Sequence, residues 1–111
     1  MRTSLAAIAA LIATVTWAAD GPAQVTVKRT RPGGSYAELL LEIRNISAQR
    51  LSTVRVSCAV FDKAGEVLGA DDGYAENVEA GATAYKNELV AVPRDLMAQV
   101  DKGVCRVVSA D

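Results

Sequence analysis

Two runs of apolar–polar alternation, residues 36–45 and 52–62, constrain this chain more than any other feature. In the first, Ala37, Leu39, Leu41 and Ile43 fall on one face. Glu38, Glu42 and Arg44 fall on the other, with Leu40 the one apolar residue among them. In the second, Val54, Val56, Cys58 and Val60 share a face opposite Thr53, Arg55 and Ser57. A period of two marks a half-buried strand of the kind antiparallel sheets contain. The polar stretch 45–49 between them is a loop.

Shorter strands flank this pair. Residues 24–30 alternate Val25 and Val27 with polar neighbours, and Arg31-Pro-Gly-Gly-Ser is a turn. Asp62-Lys63-Ala64-Gly65 is a second turn, with Gly65 suited to a positive φ, and residues 66–69 start a further strand. Residues 70–79 read as either strand or loop, with Asp71-Asp72-Gly73 as a bulge or a loop. After the turn Glu79-Ala-Gly-Ala, residues 83–92 place Tyr85, Leu89 and Ala91 on an expected inner face, with Thr83 and Asn87 as polar exceptions. Leu96, Met97 and Val100 have helical spacing, so residues 93–101 predict a short helical turn that Pro93 can open and Gly103 follows. Residues 104–109 form the last strand. Six or seven short strands divided by turn residues predict a small all-β, antiparallel, immunoglobulin-like β-sandwich.

The N-terminus reads as an export signal. Arg2 supplies a positive n-region, residues 5–15 are apolar apart from Thr14, and Thr16-Trp17-Ala18 presents small residues where a signal peptidase reads. Cleavage is expected after Ala18, with Ala19 as the alternative, leaving residues 19–111 as a single domain. The apolar run is too short to span a bilayer, and no later run is long enough. No Cys follows the h-region, which argues against a lipid anchor. Arg2 is the only charge removed, so 12 basic and 13 acidic residues become 11 and 13, a net charge of −2. Such a balance carries no footprint for nucleic acid, and the Lys28, Arg29 and Arg31 cluster reads as a solvated strand end. The expected location is periplasmic or secreted.

A domain this small benefits from a covalent staple. Cys58 and Cys105 are the only cysteines, both lie on apolar faces, and export places them in an oxidising compartment. They are expected to form a disulfide, with Cys58 in the core where a bridge between sheets would lie. Their wide separation in sequence argues against a redox pair.

Histidine is absent, so Ser-His-Asp and Cys-His arrangements and the commonest metal ligand are missing. Two thiolates alone do not complete a zinc site. Asp71-Asp72-Gly73 has a calcium reading, but two adjacent aspartates before Gly read more simply as a turn. The carboxylates, Glu88 among them, are expected mostly in turns and on polar strand faces. Asn45-Ile46-Ser47 matches a glycosylation acceptor, relevant only in a eukaryotic host. No catalytic residue, metal or cofactor is expected.

The middle of the chain resembles the FxLYD domain, an immunoglobulin-like module of exported and membrane-attached prokaryotic proteins. Asn45-Ile46-Ser47 precedes the loop, Val54-Arg-Val-Ser-Cys-Ala-Val-Phe-Asp62 stands as the long strand, and Lys63-Ala-Gly65-Glu-Val-Leu68 forms turn and next strand. Glu79-Ala-Gly81 is similar to the family's later turn. The likeness covers residues 39–92. Asp62 is kept, whereas Cys58, Val60 and Phe61 stand where the family has Phe, Leu and Tyr, so a cystine would replace a core aromatic. The resemblance implies a scaffold that binds without catalysing. The expected function is therefore binding or scaffolding of another exported or envelope protein, through a sheet edge or an apolar patch. Leu40, Tyr74 and the loop near Arg50 are candidate contacts, and no ligand-binding residue or oligomeric state is assigned. The alternatives are small-ligand carriage or a small carboxylate- or thiol-based enzyme.

Overall fold

The two alternating runs become the central strands of a two-layer sandwich. A computed structural model describes residues 21–111, so the expected export signal at 1–18 lies outside the described residues. Strands β1 (Ala23–Arg31), β2 (Tyr36–Asn45) and β5 (Thr83–Ala91) form one sheet in the order β1-β2-β5. Strands β3 (Leu51–Phe61), β4 (Val67–Val78) and β6 (Lys102–Ala110) form the other in the order β4-β3-β6. All four pairings are antiparallel. First, second and fifth strands in one sheet, with third and sixth adjacent in the other, is the immunoglobulin-like arrangement. The all-β expectation therefore holds, with six strands among the described residues.

Leu39, Leu41 and Ile43 of β2 and Val54, Val56 and Val60 of β3 are fully buried and make the centre of the core. Glycines stand at inward positions of both edge strands of the second sheet. Across the inner face of the second sheet, Val60 lies between Gly103 and Gly69, and Val56 between Val107 and Gly73. The glycines let the opposite sheet close in. A Cβ on Gly69 would stand 2.2 Å from the Ala91 carbonyl oxygen, and one on Gly103 would stand 2.5 Å from Leu39 Cδ2. Thr30 Oγ1 accepts a hydrogen bond from the Gly103 amide at 3.1 Å, tying β1 to β6. These glycines thus bring the two sheets into close contact at both margins.

Asp62 builds the β3–β4 turn. Its carboxylate accepts from the Ala64 and Glu66 amides, both at 2.9 Å, while Gly65 takes φ +87° as its place in the turn requires. Asn45 organises the opposite end. Its side-chain amide donates to the carbonyls of Gln49 and Val78 at 2.8 and 2.9 Å, and its Oδ1 accepts from the Ser47 amide and hydroxyl. Its backbone binds Ala82 and Gly81 of the β4–β5 turn. One fully buried residue, through side chain and backbone together, therefore joins the 45–49 loop, the end of β4 and the β4–β5 turn and satisfies their backbone groups. It is also unavailable as a glycan acceptor, since its amide nitrogen is committed inside the fold.

The structure resolves some expectations and overturns others. Residues 69–78 continue β4 as strand; the extra residue lies earlier, at Leu68, where Val60 pairs with Gly69 but Phe61 with Val67. The short helical turn expected at residues 93–101 forms as a six-residue 3₁₀ segment, Arg94–Gln99, that buries Met97. Gly103 belongs to β6, where it serves close packing rather than ending a helix. The largest change concerns β5. Tyr85, Leu89 and Ala91 face solvent, while Ala84, Lys86, Glu88 and Val90 face inward. Register decides this: hydrogen bonds from Asn45 to the β4–β5 turn and from the Val92 amide to Ser35 pin β5 at both ends. Val90 then sits opposite Ala37, and Glu88 opposite Leu39. A one-residue slip would reverse every side chain of β5.

Candidate functional site

The disulfide is the sequence-derived site the structure brings together. Cys58 and Cys105 are directly opposed on β3 and β6, with Sγ atoms 2.06 Å apart and Cα atoms 4.0 Å apart. The bridge therefore lies within one sheet, not between the two as expected. Phase alone put both sulfurs on the inner face, but that face is shared by neighbouring strands of one sheet. The cystine braces β6 against β3, whose Cys58 is almost fully buried.

On the other side of Cys58 in the same row stands Asp71 of β4, at the margin where β4 approaches β5. Glu88 reaches this margin from β5 and is only 5% exposed. Gly73 makes room for it: a Cβ there would stand 2.1 Å from Glu88 Oε1. Lys86 Nζ lies 3.7 Å from the same oxygen. Burial holds the Glu88 carboxyl above its ordinary range; a hydrogen bond with Asp71 and that group's negative charge act in the same direction, while Lys86 opposes them.

Alternation along β4 separates the adjacent aspartates. Asp71 faces inward and Asp72 outward, so they cannot close on one ion, which removes the calcium reading of this dipeptide. Among the described residues, no three His, Cys, Asp or Glu side chains form a metal-binding group. Glu88 itself, expected on a solvated face, escaped sequence reasoning. The available signal was the second phase of β5, in which Ala84 and Val90 bracket Lys86 and Glu88.

The reversal of β5 also creates a surface. Tyr36 and Leu40 of β2 and Tyr85 and Leu89 of β5 lie on the outer face of their sheet. Tyr36 pairs with Ala91, Leu40 with Asn87, and Glu42 with Tyr85. Tyr36, Leu89, Leu40 and Tyr85 are consequently successive diagonal neighbours, within reach of one another across an antiparallel pair. Tyr36, Tyr85 and Leu89 are 51%, 65% and 49% exposed. The Tyr85 hydroxyl donates to Glu42 Oε2 at 3.2 Å, and that bond and the carboxylate charge hold the phenol neutral to higher pH. The expected contacts do not converge. Leu40 belongs to this strip, Tyr74 lies on the outer face of the other sheet, and Arg50 donates to Asn77 at the end of the sandwich.

A groove of about 400 Å³ lies between the β3–β4 turn and the 3₁₀ segment, lined by Asp62, Lys63, Ala64, Ala98, Gln99 and Val100. No helix among the described residues is long and apolar enough to cross a membrane. Comparison with protein-family models, curated proteins and solved structures returned no match.

Proposed function

We propose that this chain is an exported, non-enzymatic β-sandwich module that binds another protein of the cell envelope. The observation that carries the reading is the diagonal strip Tyr36–Leu89–Leu40–Tyr85, which leaves aromatic and aliphatic side chains in solvent while charged ones point inward on β5. Tyr and Leu presented together on a rigid sheet supply contact area at low cost in side-chain ordering. The disulfide supports an oxidising destination, in keeping with the signal read at residues 1–18. The FxLYD resemblance, with Asp62 closing a turn and Asn45 a loop, points to the same kind of scaffold.

The test is photocrosslinking in envelope extract with p-benzoylphenylalanine placed at position 85, and at position 53 on the other sheet as control. A discrete adduct from position 85 that is lost with Leu89→Ser supports the strip as the contact. Equal crosslinking from both positions, or none from 85, rejects it.

A further inference from the structure

The sandwich has margins of opposite charge. Strands β1 and β6, stacked at one margin, carry Lys28, Arg29, Arg31, Lys102 and Arg106 and no acidic residue. Strand β4, at the other margin, carries Asp71, Asp72 and Glu76 and no basic residue. Arg31 pairs with Glu38; among the described residues the other four cations of the basic margin form no ion pair. Strands β4 and β6 each pair only with β3, so each leaves one edge of the same sheet without a strand partner among the described residues; on β6 the Gly103 amide is already bonded to Thr30 Oγ1, which leaves the part of that edge around Arg106.

Register adds a further relationship. On the outer face of that sheet, Ser57 of β3 stands opposite Asp72 on one side and Arg106 on the other. Arg106, Ser57 and Asp72 thus form one row across three strands. Shifting a copy sideways by one sheet width, without moving it along the strands, would bring Arg106 of one copy beside Asp72 of the next.

We propose that copies of this chain associate head to tail, the free edge of β6 in one meeting the free edge of β4 in the next. Charge selects this geometry. A β6–β6 contact opposes Lys102 and Arg106 to their own kind, and a β4–β4 contact does the same with Asp72 and Glu76. Only the β6–β4 contact opposes unlike charges, and opposite charges directly across strands attract while like charges repel. Both strands run antiparallel to β3, so they meet in parallel, with the slanted, evenly spaced hydrogen bonds of that pairing. The contact is heterologous, so association continues into a ring or a filament. It uses the sheet edges and is independent of the outer strip proposed above as the partner surface.

The experiment is sedimentation velocity on the full chain, expressed with its own N-terminus and purified in the processed form that accumulates, disulfide intact. At low ionic strength the average mass should rise with concentration; at about 0.5 M salt, where screening is effective beyond a few ångström, it should fall towards that of the monomer. Arg106→Glu and Asp72→Arg should each weaken self-association about tenfold. Mixing the two variants should restore it, because each then meets an unlike edge; restoration also shows that both are folded. A single concentration-independent species at low salt overturns the proposal. So does association that survives both substitutions, or that is abolished by Tyr85→Ser with Leu89→Ser, which assigns it to the outer strip.

Discussion

Glu88 of β5 rests against Gly73 of β4 so closely that a single methyl on the glycine would overlap Glu88 Oε1, 2.1 Å away. The carboxylate end of a flexible side chain can swing aside, at the loss of its buried position. At Gly69, four residues earlier on the same face, an added Cβ would stand 2.2 Å from the Ala91 carbonyl oxygen, and backbone cannot swing. Gly69→Ala should therefore cost about 3 kcal/mol and Gly73→Ala about 1 kcal/mol, within the range for overpacking. Urea unfolding of the two variants checks the order, and equal midpoints would refute the distinction.

The pH dependence follows from Glu88. Its carboxyl is held up in the folded chain by burial first and Asp71 next, so the folded state keeps the proton to higher pH than the unfolded state. Below the ordinary Glu value of 4.5 both states are protonated and the folded domain carries no penalty. As pH rises through the raised folded value, ionisation in the buried site lowers stability. Besides Glu88, the charged groups facing this margin are Asp71 from β4 and Lys86 from β5; the inward residues of β2 and β3 carry no charge. Glu88→Gln should therefore be more stable than wild type at neutral pH, with the difference closing as the solution is acidified towards 4.5. Thermal melts across that interval measure it, and a constant difference would reject the assignment.

Asn45→Ala should cost about 3 kcal/mol, because it strands the Gln49 and Val78 carbonyls and the Ser47 amide rather than merely removing one bond. For a domain this size that is a fall of more than 10 °C in Tm, on the order of 4–8 °C for each kcal/mol. Asn45→Asp should lie close to it, since a carboxylate cannot donate to the two carbonyls. Calorimetry distinguishes this from substitution of an exposed side chain such as Lys63→Ala.

Reducing the disulfide should cost about 4 kcal/mol by the chain-entropy relation for a loop closed across 47 residues. Because the bridge lies inside one sheet, amide exchange should accelerate first in β6, which the cystine braces, before β2, which it does not touch. Uniform acceleration across both sheets would show that the bridge acts on the whole sandwich at once.

Strong alternation made β2 and β3 legible without coordinates, because each buries a continuous apolar row that one phase alone satisfies. The turns at Asp62 and Gly65 were legible for a local reason: an Asx-type turn and a positive φ need those residue types wherever they occur. Pairing of the two cysteines followed from their being the only two. Which strands would be neighbours did not, and so a bridge expected between sheets lies within one. The phase of β5 was hidden more deeply. Its own residues favour burying Tyr85 and Leu89, and only the register imposed by Asn45, Ser35 and the β4–β5 turn puts Glu88 inside. Local composition thus determined where strands and turns form, since those depend on neighbours in the chain. Tertiary structure decided the buried acid at Glu88, the outer apolar strip and the opposed charged margins, because each arises from residues far apart in sequence that hydrogen-bond register brings into one row.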